Sequence, residues 1–195
     1  MRSYAVAYAR WFSHVNGVNA APHMRSWLTD TASLTKKLIA RSNHFRVRCL
    51  RQDHGRCLAD EFALVDLPRR TCVQEREVLL QCDGRPVVFA HTIVPLSATT
   101  SDWPFFGTLG ERSLGTTLFG DPRVKRGSMQ YARLRQQHPL VQRASAALGG
   151  MRFDSPLFAR RCLYRRKRGV LLVTELFLPA IADLPVPSRP NELIR

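Results

Sequence analysis

The sequence is short of lysine, of acidic residues and of paired cysteines. Only Lys36, Lys37, Lys125 and Lys167 are lysines, so the 30 basic residues, set against 15 acidic ones, are nearly all arginine and the formal net charge is +15. Blocks of like charge of the kind that form basic tails are missing. Charge spread along a chain raises the local concentration of anions without naming one, so nucleic acid, a membrane surface and an acidic metabolite all stay open. The cysteines, Cys49, Cys57, Cys72, Cys82 and Cys162, are odd in number and show no C-x-x-C spacing. That excludes a zinc ribbon, a thioredoxin motif and a paired disulfide framework, and leaves free thiols in a reducing compartment. No run approaches the roughly 18 apolar residues that cross a bilayer. The apolar patch at the start is broken by Arg10 before it reaches the length of a secretory core, so the expected location is the cytoplasm. There is no G-x-S-x-G and no H-E-x-x-H, and the glycines of residues 107–115 lack phosphate-loop spacing. Nothing here nominates a metal, a nucleotide or a catalytic triad.

What is present suits one folded domain. The 195 residues are 45% hydrophobic and 23% charged, and a chain of this length buries roughly 70% of its unfolded surface, enough for a core that encloses a ligand cavity. Residues 1–22 read as a lead-in without sustained periodicity. Met24, Trp27, Leu28, Leu34, Leu38 and Ile39 recur at three- and four-residue steps, which predicts one or two short helices over 23–41, the second capped by Asp30 or Ser33. Phe45–Arg51 alternates apolar and basic residues and predicts a strand. Cys72–Cys82 and Arg85–Val94 flank Asp83-Gly84, a pair suited to the positive φ angles of a two-residue hairpin turn. A loop over 97–112 leads to a short helix near Ser113–Phe119, and Ser128–Arg135 reads as another strand. An irregular or weakly helical insertion fills 136–156. Arg161–Tyr164 and Val170–Leu178 flank the basic turn Arg165–Gly169, a second hairpin with a solvated tip, and the proline-rich tail from Asp183 is expected to be extended. Hairpins with few helices between them imply an α+β domain, an antiparallel sheet with helices packed against it, spanning 23–182.

Two residues on these strands point to chemistry. Glu175 shares a strand face with Leu171, Val173 and Phe177, and the other face is apolar as well. A carboxylate in such a strand must be paired, protonated or facing a cavity. Arg76 shares a face with Val78, Leu80 and Cys82, opposite Glu75 and Glu77. Its planar fork calls for a carboxylate, either that of Glu175 in a core ion pair or that of a ligand. His91, in the apolar run Val87–Val94, reads as a hydrogen-bonded core histidine rather than a base.

At these residues the sequence resembles the chorismate pyruvate-lyase family of ubiquinone biosynthesis. The resemblance runs through Trp27–Thr35, Arg76–Pro86, His91–Pro95, Leu114-Gly115 with Leu118-Phe119, Arg160-Arg161 and Leu172–Pro179, and so covers most of residues 26–180. It implies a chorismate lyase-like α+β fold that eliminates pyruvate from chorismate and leaves 4-hydroxybenzoate, without metal or cofactor, in a cavity closed by flaps. By position, Arg76 would bind the ring carboxylate and Glu175 would meet the ring 4-hydroxyl, these two being the catalytic pair. The backbones of Leu34 and Leu114 would complete the contacts. Leu34 stands where the family often has methionine, a change of little weight for a main-chain contact. A monomer acting on small molecules, with no nucleic acid and no membrane insertion, is the expectation. Two rivals remain: a small-molecule-sensing domain of the same fold, as in some bacterial transcription regulators, and a basic nucleic-acid-binding module.

Overall fold

The computed structural model describes residues 9–185. Its centre is one six-stranded antiparallel sheet: β1 (Phe45–Arg56), β2 (Cys72–Cys82), β3 (Arg85–Pro95), β4 (Val124–Leu134), β5 (Leu157–Arg166) and β6 (Gly169–Phe177). The spatial order is β1-β2-β3-β6-β5-β4. Each of the two tight hairpins thus supplies neighbouring strands, and β3 and β6 join them at the middle. The turn between β2 and β3 holds Asp83 at φ 49° and Gly84 at φ 77°, the two left-handed positions that match the twist of the flanking strands. The Asp83 carboxylate also accepts from the backbone N–H groups of Asn43 and His44, at 2.9 and 2.8 Å, and so ties the entry of β1 to this turn.

Among the described residues five short helices accompany the sheet: α1 (Pro22–Leu28), α2 (Leu34–Ile39), α3 (Leu96–Thr99), α4 (Leu114–Gly120) and α5 (Pro139–Ala147). Pro22 opens α1, where a missing N–H costs nothing. Ser33, not Asp30, caps α2 by accepting from Lys36 N; Asp30 instead accepts from Ala32 N in the preceding turn.

Period-2 alternation divides the sheet residues between two covered faces. On one face Val78, Leu80, Val88 and Ala90 pack against Trp27, Leu28, Leu34 and Leu38 of α1 and α2. On the same face Leu171 and Tyr164 pack against Trp103, Phe106, Leu114 and Leu118. The opposite face carries Leu79, Phe89 and Leu176 under Leu140, Val141 and Ala144 of α5. There Val73, Ile93 and Leu172 also meet Cys57 and Val65 of the loop after β1. All five cysteines are free thiols.

Several expectations shift. Strand β1 continues to Arg56 through a bulge between Cys49 and Arg51, and β4 begins at Val124 rather than Ser128 because a second bulge interrupts its alternation. The insertion contains α5, which lies on the face away from the first helices. Phe12 in the lead-in exchanges backbone hydrogen bonds with Tyr131 at 2.8 and 2.9 Å, and Val15 and Val18 are buried, so the described part of that segment is packed on the domain. The tip of the β5–β6 hairpin is only partly solvated: Arg166 is buried, bonded to Asp121 at 2.8 Å and to the Asp102 carbonyl at 2.6 Å. A 3-10 turn, Pro179–Asp183, leads into the tail, and the stretch from residue 186 lies outside the described residues.

Candidate active site

The sheet face beneath α2 and α4 forms a partly enclosed cavity that opens to solvent at its mouth. Its floor follows the strand pairing. One row across the sheet reads Arg76, Thr92, Val173, Cys162, Met129. The next row reads Val78, Ala90, Glu175, Arg160. The roof comes from Ala32, Leu34 and Thr35 on one side and Ser113, Leu114, Gly115 and Leu118 on the other. The Thr35 and Ser113 hydroxyls meet at 2.8 Å, linking the starts of α2 and α4. The seam is tight at Gly115, where a Cβ would stand 3.3 Å from both Ser33 Oγ and Thr35 Oγ1.

Arg76 and Glu175 both line this cavity, yet they are not partners. Arg76 is 2% exposed and donates only to carbonyls: Nε and Nη2 to Gly110 at 3.2 and 2.7 Å, and Nη2 to Arg112 at 2.8 Å. Gln52, its neighbour on β1, holds the same loop by accepting from Gly110 N at 2.9 Å. Burial pulls the Arg76 pKa below the ordinary arginine value. A buried guanidinium that meets no carboxylate among the described residues gains by accepting an anion.

Glu175 is claimed by Arg160. Arg160 Nε donates to Glu175 Oε2 at 2.5 Å, and its Nη1 donates to the carbonyls of Trp27 at 2.9 Å, Leu28 at 3.3 Å and Asp30 at 2.8 Å. One buried guanidinium thus orients the carboxylate and pins the end of α1 over the cavity.

A family model described as chorismate lyase matches residues 6–184. A probable chorismate pyruvate-lyase from Ralstonia nicotianae is 47% identical over 167 residues, 85% of this chain and 86% of that protein. Another, from Methylobacillus flagellatus, is 43% identical over 181 residues, 92% and 98% of the two chains. The chain belongs to the chorismate lyase family. Among solved structures, the effector domain of PhnF from Mycobacterium smegmatis superposes with a TM-score of 0.51, covering 77% of this chain and 90% of that one. At 14% identity this likeness shows the fold alone.

In this chorismate lyase family chain the four residues singled out in the sequence, Leu34, Arg76, Leu114 and Glu175, line one cavity. Leu34 and Leu114 are the first residues of α2 and α4, where a backbone N–H has no acceptor within its own helix. The reading of Arg76 and Glu175 as a mutual core ion pair is set aside, because Arg160 is the partner of Glu175. The sequence alone gives Arg160 no role in the site. Its strand parity with Tyr164 was the available signal, but its neighbour Arg161 is equally basic and goes to the other face, where it bonds Gln130 at 2.8 Å and the Asp60 carbonyl at 2.9 Å.

That other face holds a buried charge cluster. His91 stands between Glu61 at 3.2 Å and Glu77 at 3.3 Å, and Arg143 of α5 reaches Glu77 at 2.5 Å and Glu75 at 3.1 Å. Burial by itself pulls the imidazole down, but the two flanking carboxylates outweigh it and lift His91 to about 10. Glu75, Glu77 and His91 bring ligand-type atoms within 4.8 Å of one another. With Arg143 on Glu75 and Glu77, Arg51 on Glu75 at 3.3 Å and a proton on His91, three positive charges from within the chain balance Glu61, Glu75 and Glu77. His91 is therefore a core residue, separated by the sheet from the cavity.

Proposed function

We propose that the cavity binds chorismate and eliminates its enolpyruvyl ether to release 4-hydroxybenzoate, the ring precursor of ubiquinone, and pyruvate. The observation that carries this reading is the placing of a buried, carboxylate-free Arg76 and an oriented Glu175 on the walls of one cavity. Arg76 takes the ring carboxylate, and the Leu34 and Leu114 N–H groups add donors from above. Glu175, with Oε2 taken by Arg160, offers Oε1 to the ring 4-hydroxyl. The ring is then clamped at its para ends, which fixes the ether and the C4–H bond relative to the protein. The C3–O and C4–H bonds break, the ring gains its third double bond, and the departing enolpyruvate takes up one proton to become pyruvate. Aromatisation supplies the driving force, so the residues need only hold, orient and exclude water, and no metal or cofactor enters the scheme.

One chain supplies every residue of this site, in keeping with a monomer, and a cytoplasmic location suits its free thiols. No helix among the described residues is long and apolar enough to cross a membrane. The test is incubation of purified protein with chorismate in excess chelator, following 4-hydroxybenzoate and pyruvate together. Equimolar release of both is expected; loss of activity that one divalent ion restores would refute the scheme.

A further inference from the structure

Chorismate has two carboxylates, and the clamp just described accounts for one. Resting on that reading, we propose that Arg126 receives the second, the carboxylate of the enolpyruvyl group, and so distinguishes substrate from product.

Three arginines line the cavity: Arg76, Arg126 and Arg160. Arg160 is neutralised by Glu175. Arg126, like Arg76, meets no carboxylate among the described residues; its Nη1 donates to the carbonyl of Thr31, in the loop that roofs the cavity. Two guanidinium groups without a carboxylate partner among the described residues, Arg76 buried and Arg126 half-buried, match the charge of a dianion in one cavity. Their placement matches its shape. Arg76 is two strands to one side of β6 and Arg126 two strands to the other. Glu175 is one residue pair beyond the Arg76–Val173–Met129 row, and Arg126, paired with Tyr164 and through it with Leu171, is one residue pair on the opposite side. The three anchors form a triangle, as do the C1 carboxylate, the C4 hydroxyl and the C3 side chain of chorismate.

The backbone is built to aim Arg126 inward. Arg126 and Met129 are three apart, so plain alternation would send them to opposite faces, yet both line the cavity. The β4 bulge between them restores the phase. Gly127 permits this, since a Cβ there would lie 2.9 Å from the Leu163 carbonyl oxygen. The neighbours of Arg126 leave its charge uncompensated: burial, then Coulombic repulsion, raises the pKa of Tyr164, and burial raises that of Cys162. Both therefore stay neutral, and both line the cavity with it.

4-Hydroxybenzoate lacks the enolpyruvyl carboxylate, which gives the test its selectivity. Arg126→Gln and Arg126→Lys are compared with wild type in steady-state kinetics on chorismate and in calorimetric binding of 4-hydroxybenzoate, with melting curves alongside. Arg126→Gln should lower kcat/KM roughly 10- to 100-fold, chiefly through KM, as expected for one lost charge-assisted contact. Its Kd for 4-hydroxybenzoate should stay within about twofold of wild type, because the lost contact is absent from the product complex. Arg126→Lys, which keeps the charge but loses the fork, should fall between the two on chorismate. Equal losses for chorismate and 4-hydroxybenzoate, or unchanged kinetics on chorismate, would overturn the assignment. Should Arg126→Gln fail to fold, the same two-ligand comparison on Arg126→Lys decides. A wild-type protein that releases no product from chorismate refutes the proposed function itself, an outcome distinct from an unselective Arg126 variant.

Discussion

Arg160→Met isolates the one cavity interaction that is both structural and chemical. The substitution retains an unbranched side chain of similar length on β5 but strands the Glu175 carboxylate in a mostly apolar wall and removes the donor to the Trp27, Leu28 and Asp30 carbonyls. Breaking one side of a buried ion pair costs about 3–5 kcal/mol. Because Glu175 retains 18% side-chain exposure toward the cavity, the lower end of that range applies, about 3 kcal/mol. For a domain of this size each kcal/mol moves the melting temperature by about 2–4 °C, so a fall of about 6–12 °C is expected. The double variant Arg160→Met with Glu175→Gln removes the stranded charge, and should recover part of that loss. Differential scanning calorimetry on the wild type, both single variants and the double closes the thermodynamic cycle. A coupling energy of at least about 1 kcal/mol is expected for this contacting pair. Additive single effects would show that Arg160 and Glu175 do not support each other, and the oriented-carboxylate scheme would fall with them.

Arg76→Ala is expected to leave melting nearly unchanged, since water enters the cavity in its place, while weakening 4-hydroxybenzoate binding about tenfold or more in calorimetry. A large fall in melting temperature with unaltered binding would mark Arg76 as a mere clasp for the Gly110–Arg112 loop. His91 on the far face sets a pH dependence: its folded pKa of about 10 lies above the ordinary value, so its stabilising contribution is complete below about pH 6.5 and drains away as pH rises toward about 10. Wild type should thus lose melting temperature across that window more steeply than His91→Gln; parallel curves would contradict the protonated cluster. Finally, the +15 excess should steer the dianion, so added salt is expected to depress kcat/KM more than kcat. Equal changes in stopped-time assays at several ionic strengths would leave the surface charge without a kinetic role.

Local rules made much of this protein legible before any coordinates. The Asp83-Gly84 turn, the period-2 runs of β2, β3 and β6, and the polar residues Arg76 and Glu175 inside them are properties of neighbours along the chain. Such properties announced an antiparallel α+β domain and two buried polar residues, each needing a partner or a ligand. The resemblance to chorismate lyases added Leu34 and Leu114, whose proposed contribution is through the backbone and so leaves no side-chain signal. What tertiary structure alone decided was pairing. Nothing within a strand says that Glu175 meets Arg160 rather than Arg76, since the choice depends on β6 sitting between β3 and β5. Arg126 was hidden for a related reason: a bulge shifts the phase of alternation by one residue, and its extra residue shows itself only against a partner strand. The insertion, too, had no readable destination until α5 was seen to cover Glu75 and Glu77 on the face away from the cavity. Sequence assigns each residue a face by a rule of two, and only the assembled sheet determines which other residues share it.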